Sequence, residues 1–276
     1  MNFRIFVITI DRSYNRYKII ENHMIKNKIP FTKFNGIDGN KLTKTEINRI
    51  TTDFCKDFCT KSIIGCALSH ILVWKYISKL DNDYFIILED DSLFDFKKFN
   101  KIKSKIENNI DKFSLIYLDG MGINIKYKKH LIDDYYFNYY DYCYSHSCYI
   151  ITKKIAKSLY DFYKKYKIGY HIDYTDNKIL NKDNNGIVIL KPGIVNNIGN
   201  NCSTMSNKKK SLSWLAPDLY YGLTFPIIKI NNIIINIITI ISILLVLLFI
   251  IIEIKSIIFW IITIILLFDI ITITID

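Results

Sequence analysis

The stretch that most constrains this chain is Tyr84-Phe85-Ile86-Ile87-Leu88, five apolar residues that run directly into Glu89-Asp90-Asp91 and then Ser92. A β-branched and aromatic run of this length fits a strand buried on both faces, as in an α/β sheet. Such a strand delivers the residues after it to the carboxyl edge of the sheet, where open α/β sheets bind ligands. Three adjacent carboxylates repel one another, and a cation, protons or water must relieve that repulsion. A hard divalent metal carrying a phosphate ester does so with oxygen ligands. Asp-Asp-Ser is also ordinary turn chemistry, so the nine residues alone leave a solvated acidic turn open.

The segments before it supply partners. Phe3 to Ile10 reads as a first buried strand, with Thr9 at its end, and Asp11-Arg12-Ser13 closes it. An amphipathic helix is expected from about Tyr14 to Lys28, so strand then helix opens the chain as in a nucleotide-binding half-fold. Arg12 and Arg16 fall near that strand's carboxyl end, within reach of a phosphate or base. Ile29 to Phe34 is expected as a second strand. Asn35-Gly36-Ile37-Asp38-Gly39 closes it as a tight loop that sets Asp38 near the sheet edge, where it can accept from a ribose or serve only as a turn residue. Thr43 to Phe58 reads as a polar surface helix. Ser62 to Ile77 reads as a packed helix, with small residues at 65 to 67 permitting close approach. Ser69 and His70 interrupt its apolar face; a histidine there is more often a satisfied core residue than a catalyst. Phe113 to Leu118 reads as another strand, ending at Asp119.

The last fifty residues differ in kind. Ile233 to Ile252 holds one Asn, one Thr and one Ser among apolar residues, and a helix of that length spans a bilayer core of roughly 30 Å. Glu253 and Lys255 interrupt it, and about 257–275 comes after as a second apolar stretch carrying Asp269. The expected organisation is therefore a domain over 1–226 and a hydrophobic membrane anchor over 227–276, a helical hairpin. Lys208, Lys209, Lys210 and Lys229 flank the first span. The positive-inside rule then faces the domain to the cytosol, and Met1 to Ile10 is too short an apolar run for a secretory signal.

The net charge of +11 suits phosphorylated substrates or an anionic membrane as well as nucleic acid. No nucleic-acid-binding module or basic-aromatic repeat accompanies it, so nucleic acid is not expected as a partner. The six cysteines are compatible with reduced thiols. Cys143-x2-His146-x-Cys148 and Cys55-x3-Cys59 lack the paired spacing of a structural zinc site.

Several of these segments together resemble glycosyltransferase family 25, which includes lipooligosaccharide and procollagen galactosyltransferases. The residues that carry the resemblance are Val7 to Ser13 with Arg16, Phe34 to Gly39, Ile64-Gly65-Cys66-Ala67-Leu68-Ser69-His70 with Trp74-Lys75, and Leu88 to Asp91. Further along, Cys148 to Ala156, His171-Ile172-Asp173, Lys191 to Val195 and Ser203-Thr204-Met205 are similar to later blocks. Ser62-Ile63 stand where the family commonly carries a Gly-Glu pair.

The resemblance implies a GT-A-like α/β fold with a central, mostly parallel sheet. It implies an inverting, metal-dependent transfer of a hexose, galactose by resemblance, from a UDP-sugar to a glycan, glycolipid or glycoprotein acceptor, as in lipopolysaccharide biosynthesis. Asp91 with Glu89 is expected to hold Mn2+ or Mg2+. Thr9, Arg12, Arg16, Asp38, Glu89, Asp90 and Ser203 are expected around the donor. Asp173 is expected to be the general base, with Asp119 as the other candidate. The competing expectation is a catalytically degenerate, membrane-anchored scaffold that binds carbohydrate or nucleotide.

Overall fold

A computed structural model describes residues 3–110, 113, 115–118, 127–132, 135–139, 146–180, 187–191, 193–197, 226–230, 233–252, 261 and 263. The chain divides into two compact units, Met1–Met205 and Ser206–Asp276.

In the first unit, β1 (Arg4–Thr9) leads through a 3-10 turn (Asp11–Ser13) into α1 (Tyr14–Lys26), and β2 (Thr32–Asn35) comes next. α2 (Lys44–Ile50), α3 (Asp53–Phe58) and α4 (Lys61–Ile77) then precede β3 (Tyr84–Glu89) and β4 (Ser92–Phe94). α5 (Phe96–Glu107), β5 (Leu115–Tyr117), β6 (Tyr127–Ile132) and β7 (Tyr135–Tyr139) lie beyond them. β8 (Cys148–Thr152), α6 (Lys153–Tyr166), α7 (Ile172–Leu180), β9 (Ile187–Lys191) and β10 (Val195–Asn197) complete the described part of this unit.

The main sheet has the order β2-β1-β3-β8-β5-β9-β7-β6. β1 pairs parallel with β2 and β3, placing Thr9 beside Asn35 and Ile8 beside Glu89. The carboxyl ends of three strands therefore meet at one edge. The sheet is mixed rather than mostly parallel, because β8 runs antiparallel between β3 and β5, and β7 runs antiparallel to both β9 and β6. An apolar run such as Cys148 to Thr152 reads the same in either direction, so its orientation is decided by the chain that connects it.

Both faces of the sheet are covered, as the unbroken apolar runs require. Ile5, Val7, Ile86 and Leu88 pack with Tyr17, Ile20 and Met24 of α1 and Phe99, Ile102 and Ile106 of α5. Their neighbours Phe6, Ile8, Phe85 and Ile87 point the other way, onto Ile64, Ala67, Ile71 and Trp74 of α4 and Ala156, Leu159 and Tyr163 of α6. Threonine caps start the helices on this second face. Thr60 Oγ1 accepts from the Ile63 amide at 3.3 Å, and Thr152 Oγ1 from the Ile155 amide at 3.2 Å. The single helix expected over 43–58 is two, because Thr52 leaves the helical conformation and caps α3 by accepting from the Cys55 amide. Cys55 and Cys59 form a disulfide, which a reading of all six cysteines as reduced thiols did not anticipate.

In the second unit, β11 (Pro226–Ile230) and β12 (Ile233–Asn236) form an antiparallel hairpin that leads into α8 (Ile237–Ile252). The expected helix over 233–252 is thus corrected. Its first turn is a strand, and Asn236 Oδ1 caps the shorter helix by accepting from the Thr239 amide at 2.9 Å and its hydroxyl at 3.0 Å. Among the described residues, no helix is long and apolar enough to cross a membrane. The second expected span, about 257–275, lies outside the described residues except for 261 and 263.

Candidate active site

A cleft opens at the shared carboxyl edge of β1, β2 and β3. Thr9, Arg12, Arg16, Cys66, His70 and Glu89 are among the residues that line it. One wall is α4, and a backbone contact holds that wall in place. A Cβ on Gly65 would lie 2.5 Å from the Gly39 amide nitrogen. Ser69 Oγ accepts from the Ile37 amide at 2.8 Å while donating to the Gly65 carbonyl at 2.7 Å. The small residues read from the sequence at 65 to 67 and the Asn35–Gly39 loop are therefore two sides of one contact.

Of the three carboxylates at the end of β3, Glu89 turns to His70 while Asp90 and Asp91 share Arg16. Glu89 Oε1 lies 3.1 Å from His70 Nε2 and 3.7 Å from Cys66 Sγ. Asp90, 3% exposed, turns inward. Its Oδ2 accepts from the Thr9 hydroxyl at 2.6 Å, and its Oδ1 pairs with Arg16 at 2.5 Å. Asp91 Oδ2 lies 3.5 Å from the other Arg16 terminal nitrogen, and its side chain keeps a quarter of its exposure. Across the cleft, Arg12 Nε pairs with Asp38 Oδ2 at 3.1 Å.

These placements set the charges. Burial and then the Glu89 charge push the Asp91 carboxyl up to about 7, against the pull of Arg16. Burial also raises Asp90, although Thr9 and Arg16 act in the opposite sense. Burial works to raise Glu89 too, but the hydrogen bond from His70 holds its carboxyl below the ordinary value. His70 itself is pushed down by burial, and the Cys66 thiol is pushed well up by burial and the nearby carboxylates.

A hard divalent cation fits this donor set. Glu89 and Asp91 are the two acids of the triplet that retain solvent exposure, 30% and 25% of their side chains, and a cation held by both would offset the Glu89 charge that, after burial, raises Asp91.

Behind the cleft lies a polar layer that sequence reading did not assemble. His70 Nδ1 and Trp74 Nε1 both meet the Tyr149 hydroxyl at 2.9 Å. The His146 ring packs 5.2 Å from that of His70, centroid to centroid. His146 Nε2 lies 3.0 Å from Asp176 Oδ2, and Tyr163 donates to Asp176 Oδ1 at 2.7 Å. Asp176 has no exposure. Burial drives its carboxyl up to about 8 and the His146 imidazole down to about 4. Burial thus disfavours charge on both members of the pair. His146 stood in the Cys143-x2-His146-x-Cys148 pattern, but it pairs with Asp176, and Cys148 is buried in the sheet. Cys143 lies outside the described residues.

The structure brings Thr9, Arg12, Arg16, Asp38, Glu89, Asp90 and Asp91 together. Asp173 stands in the first turn of α7, within electrostatic reach of Cys66 and His146, and is not among the residues that line the cleft. Asp119 and Ser203 lie outside the described residues. Tyr149, His146 and Asp176 were missed; the only signal for them was a histidine and a tyrosine flanking Cys148, which names no partner.

Paired arginines and clustered carboxylates give this α/β sheet edge a charged cleft. The family model for glycosyltransferase family 25 (LPS biosynthesis protein) matches residues 2–175, well over half of the chain, and the chain belongs to that family. It is 25% identical over 134 residues to human procollagen galactosyltransferase 2, covering 44% of this chain and 21% of that one. It is 30% identical over 126 residues to a provisionally named glycosyltransferase of Acanthamoeba polyphaga mimivirus, covering 45% and 39%. The chain thus matches well under half the length of these curated relatives. Among solved structures, galactosyltransferase LgtC with donor and acceptor sugar analogues overlays with a TM-score of 0.34 at 12% identity, covering 68% and 73%. S. aureus TarS overlays at 0.40 and 12%, covering 71% and 59%. Likenesses of this size decide nothing further about this chain.

Proposed function

We propose that this protein transfers a hexose, galactose by analogy with its named relatives, from a UDP-sugar to a hydroxyl of a glycan or glycolipid acceptor, with inversion at the sugar. The observation that carries the reading is the convergence of Arg12, Arg16, Glu89 and Asp90 on one cleft at the carboxyl ends of adjacent parallel strands, with Asp91 3.5 Å from Arg16 at its edge.

Glu89 and Asp91 would hold Mn2+ or Mg2+. A bound divalent ion supplies compensation for the negative charge that grows on the leaving diphosphate. Arg12, 39% exposed at its side chain, offers guanidinium N–H groups to donor phosphate or ribose, and Asp38 orients it. Asp90 keeps Arg16 and Thr9 in register beneath the donor. Asp173 takes the proton of the acceptor hydroxyl as its oxygen bonds to the anomeric carbon. The bond from that carbon to the diphosphate oxygen breaks, and the electron pair leaves with UDP. Ser203 is proposed to close over the donor phosphates.

We further propose that the apolar tail holds residues 1–226 on the cytosolic side of a membrane, the orientation that Lys208, Lys209, Lys210 and Lys229 give by the positive-inside rule. Attachment would bring the site to a lipid-borne acceptor. Fractionation and carbonate extraction of the expressed chain test this; a wholly soluble chain would remove the membrane from the proposal.

The test of the reaction is release of UDP from UDP-galactose by the full chain with Mn2+, comparing wild type with Asp91→Asn. Metal-dependent turnover lost in the variant is expected. UDP binding without turnover in the wild type would instead select the scaffold reading.

A further inference from the structure

Four side chains behind the cleft form one hydrogen-bonded line. Trp74 Nε1 is 2.9 Å from the Tyr149 hydroxyl, that hydroxyl is 2.9 Å from His70 Nδ1, and His70 Nε2 is 3.1 Å from Glu89 Oε1. Trp74 and Tyr149 are fully buried and His70 is 1% exposed. Only Glu89 at the end of the line reaches solvent.

The direction of every bond is fixed from the two ends, by an indole that cannot accept and a carboxylate that cannot donate. An indole N–H only donates. The Tyr149 oxygen therefore accepts from Trp74, and the Glu89 carboxylate accepts from His70 Nε2. A neutral imidazole carries one hydrogen, so Nδ1 is bare and accepts the Tyr149 hydroxyl hydrogen. Were His70 in the other tautomer, Nε2 would present a lone pair to a carboxylate, and the Tyr149 hydrogen would lose its Nδ1 acceptor.

We propose that Trp74 and Tyr149 are positioning residues that lock His70 in its Nε2–H tautomer, so that one oxygen of Glu89 is held and the other is left for the divalent cation. This rests on the metal-dependent function proposed above. Partners that orient a ligating carboxylate commonly govern metal affinity as strongly as its neighbours in the coordination sphere do. The sequence held Trp74 and Tyr149 apart by most of the sheet; folding makes them adjacent.

The experiment uses the full chain. The 15N resonances of histidine-labelled protein report the His70 tautomer without any substitution, and electron paramagnetic resonance of free Mn2+ gives the metal affinity. The Nε2–H form is expected in the wild type. Tyr149→Phe removes only a hydroxyl and should weaken Mn2+ binding about 10- to 100-fold while shifting the tautomer population. Trp74→Phe removes more core volume but leaves Tyr149 able to donate to His70, so it should weaken Mn2+ binding less. A purely structural role predicts the reverse order of the two variants.

An Nδ1–H or doubly protonated His70 in the wild type overturns the inference. So does a Tyr149→Phe protein that binds Mn2+ as tightly as a wild type that does bind it. A wild type that takes up no Mn2+ at all overturns the inference together with the metal-dependent function, and the two failures are thereby told apart.

Discussion

Gly39 and Lys61 stand so close that a Cβ on the glycine would lie 1.7 Å from the lysine's carbonyl oxygen. No side chain can yield to relieve such a contact, because the obstacle is the backbone of α4 itself. On the facing side, a Cβ on Gly65 would lie 2.8 Å from the Gly39 Cα. The loop after β2 and the helix that carries Cys66 and His70 are thus set against each other at main-chain distance.

Gly39→Ala or Gly65→Ala should therefore push the loop off the helix, destabilising the fold by about 1–3 kcal/mol or more and weakening donor binding with it. Gly169→Ala is the control. Nothing lies within 4 Å of its added methyl, and its stability should stay within about 0.5 kcal/mol of wild type. Thermal or urea unfolding of the three proteins decides the matter.

Arg16→Met should leave the Asp90 carboxylate buried without its cation. Arg16 is 14% and Asp90 4% exposed at their side chains, and breaking a buried pair from one side costs about 3–5 kcal/mol. Thr9→Val removes the hydroxyl 2.6 Å from the other Asp90 oxygen, at about 1–3 kcal/mol. Adding Asp90→Asn to Arg16→Met should recover part of the loss, because the residual penalty is that of an unpaired charge. A double variant as unstable as the sum of its parts would contradict this.

The Asp176–His146 pair gives stability a defined dependence on pH. Asp176 is raised to about 8 in the fold, so its contribution is full below the ordinary carboxylate range and is lost as pH rises toward 8. His146 is lowered to about 4, so its contribution is present above about 6.5 and is lost as pH falls. Between about 6.5 and 8 only Asp176 acts, and the unfolded chain has released a proton that the folded one keeps. This pair should make stability fall with rising pH there, by up to about 1.4 kcal/mol per pH unit. Asp176→Asn keeps a hydrogen-bonding amide but no titration, and should remove that slope from urea midpoints taken across the window. An unchanged slope would rule the assignment out.

If Asp173 takes the proton from the acceptor, Asp173→Asn should lower kcat by about 10²- to 10⁴-fold and leave UDP-sugar affinity near wild type. Calorimetric titration with UDP and steady-state transfer rates separate the two effects. A variant that loses donor affinity instead would make Asp173 a binding residue.

Much of this site was legible along the chain. Burial on both faces can be read from an unbroken apolar run, which is why β1 and β3 stand where the sequence put them and why Glu89-Asp90-Asp91 arrives at the sheet edge. Glycine spacing announced the close approach at Gly65. What contiguous residues cannot announce is orientation and partnership. An apolar strand has the same composition in either direction, so the antiparallel insertion of β8 was not readable, and the mixed sheet replaced the mostly parallel one. The tail shows the same limit, since hydropathy alone extended one helix over 233–252, whereas the hairpin with Pro226–Ile230 and the Asn236 cap start it at Ile237.

Composition and local pattern were enough for the sequence to determine a doubly covered α/β sheet with an acidic edge, because burial and turn chemistry act between near neighbours. The tertiary structure alone decided which acid faces which partner. Glu89 goes to His70, Asp90 to Thr9 and Arg16, and Asp176 to His146 and Tyr163, because a hydrogen bond depends on a few tenths of an ångström between groups that only folding brings together.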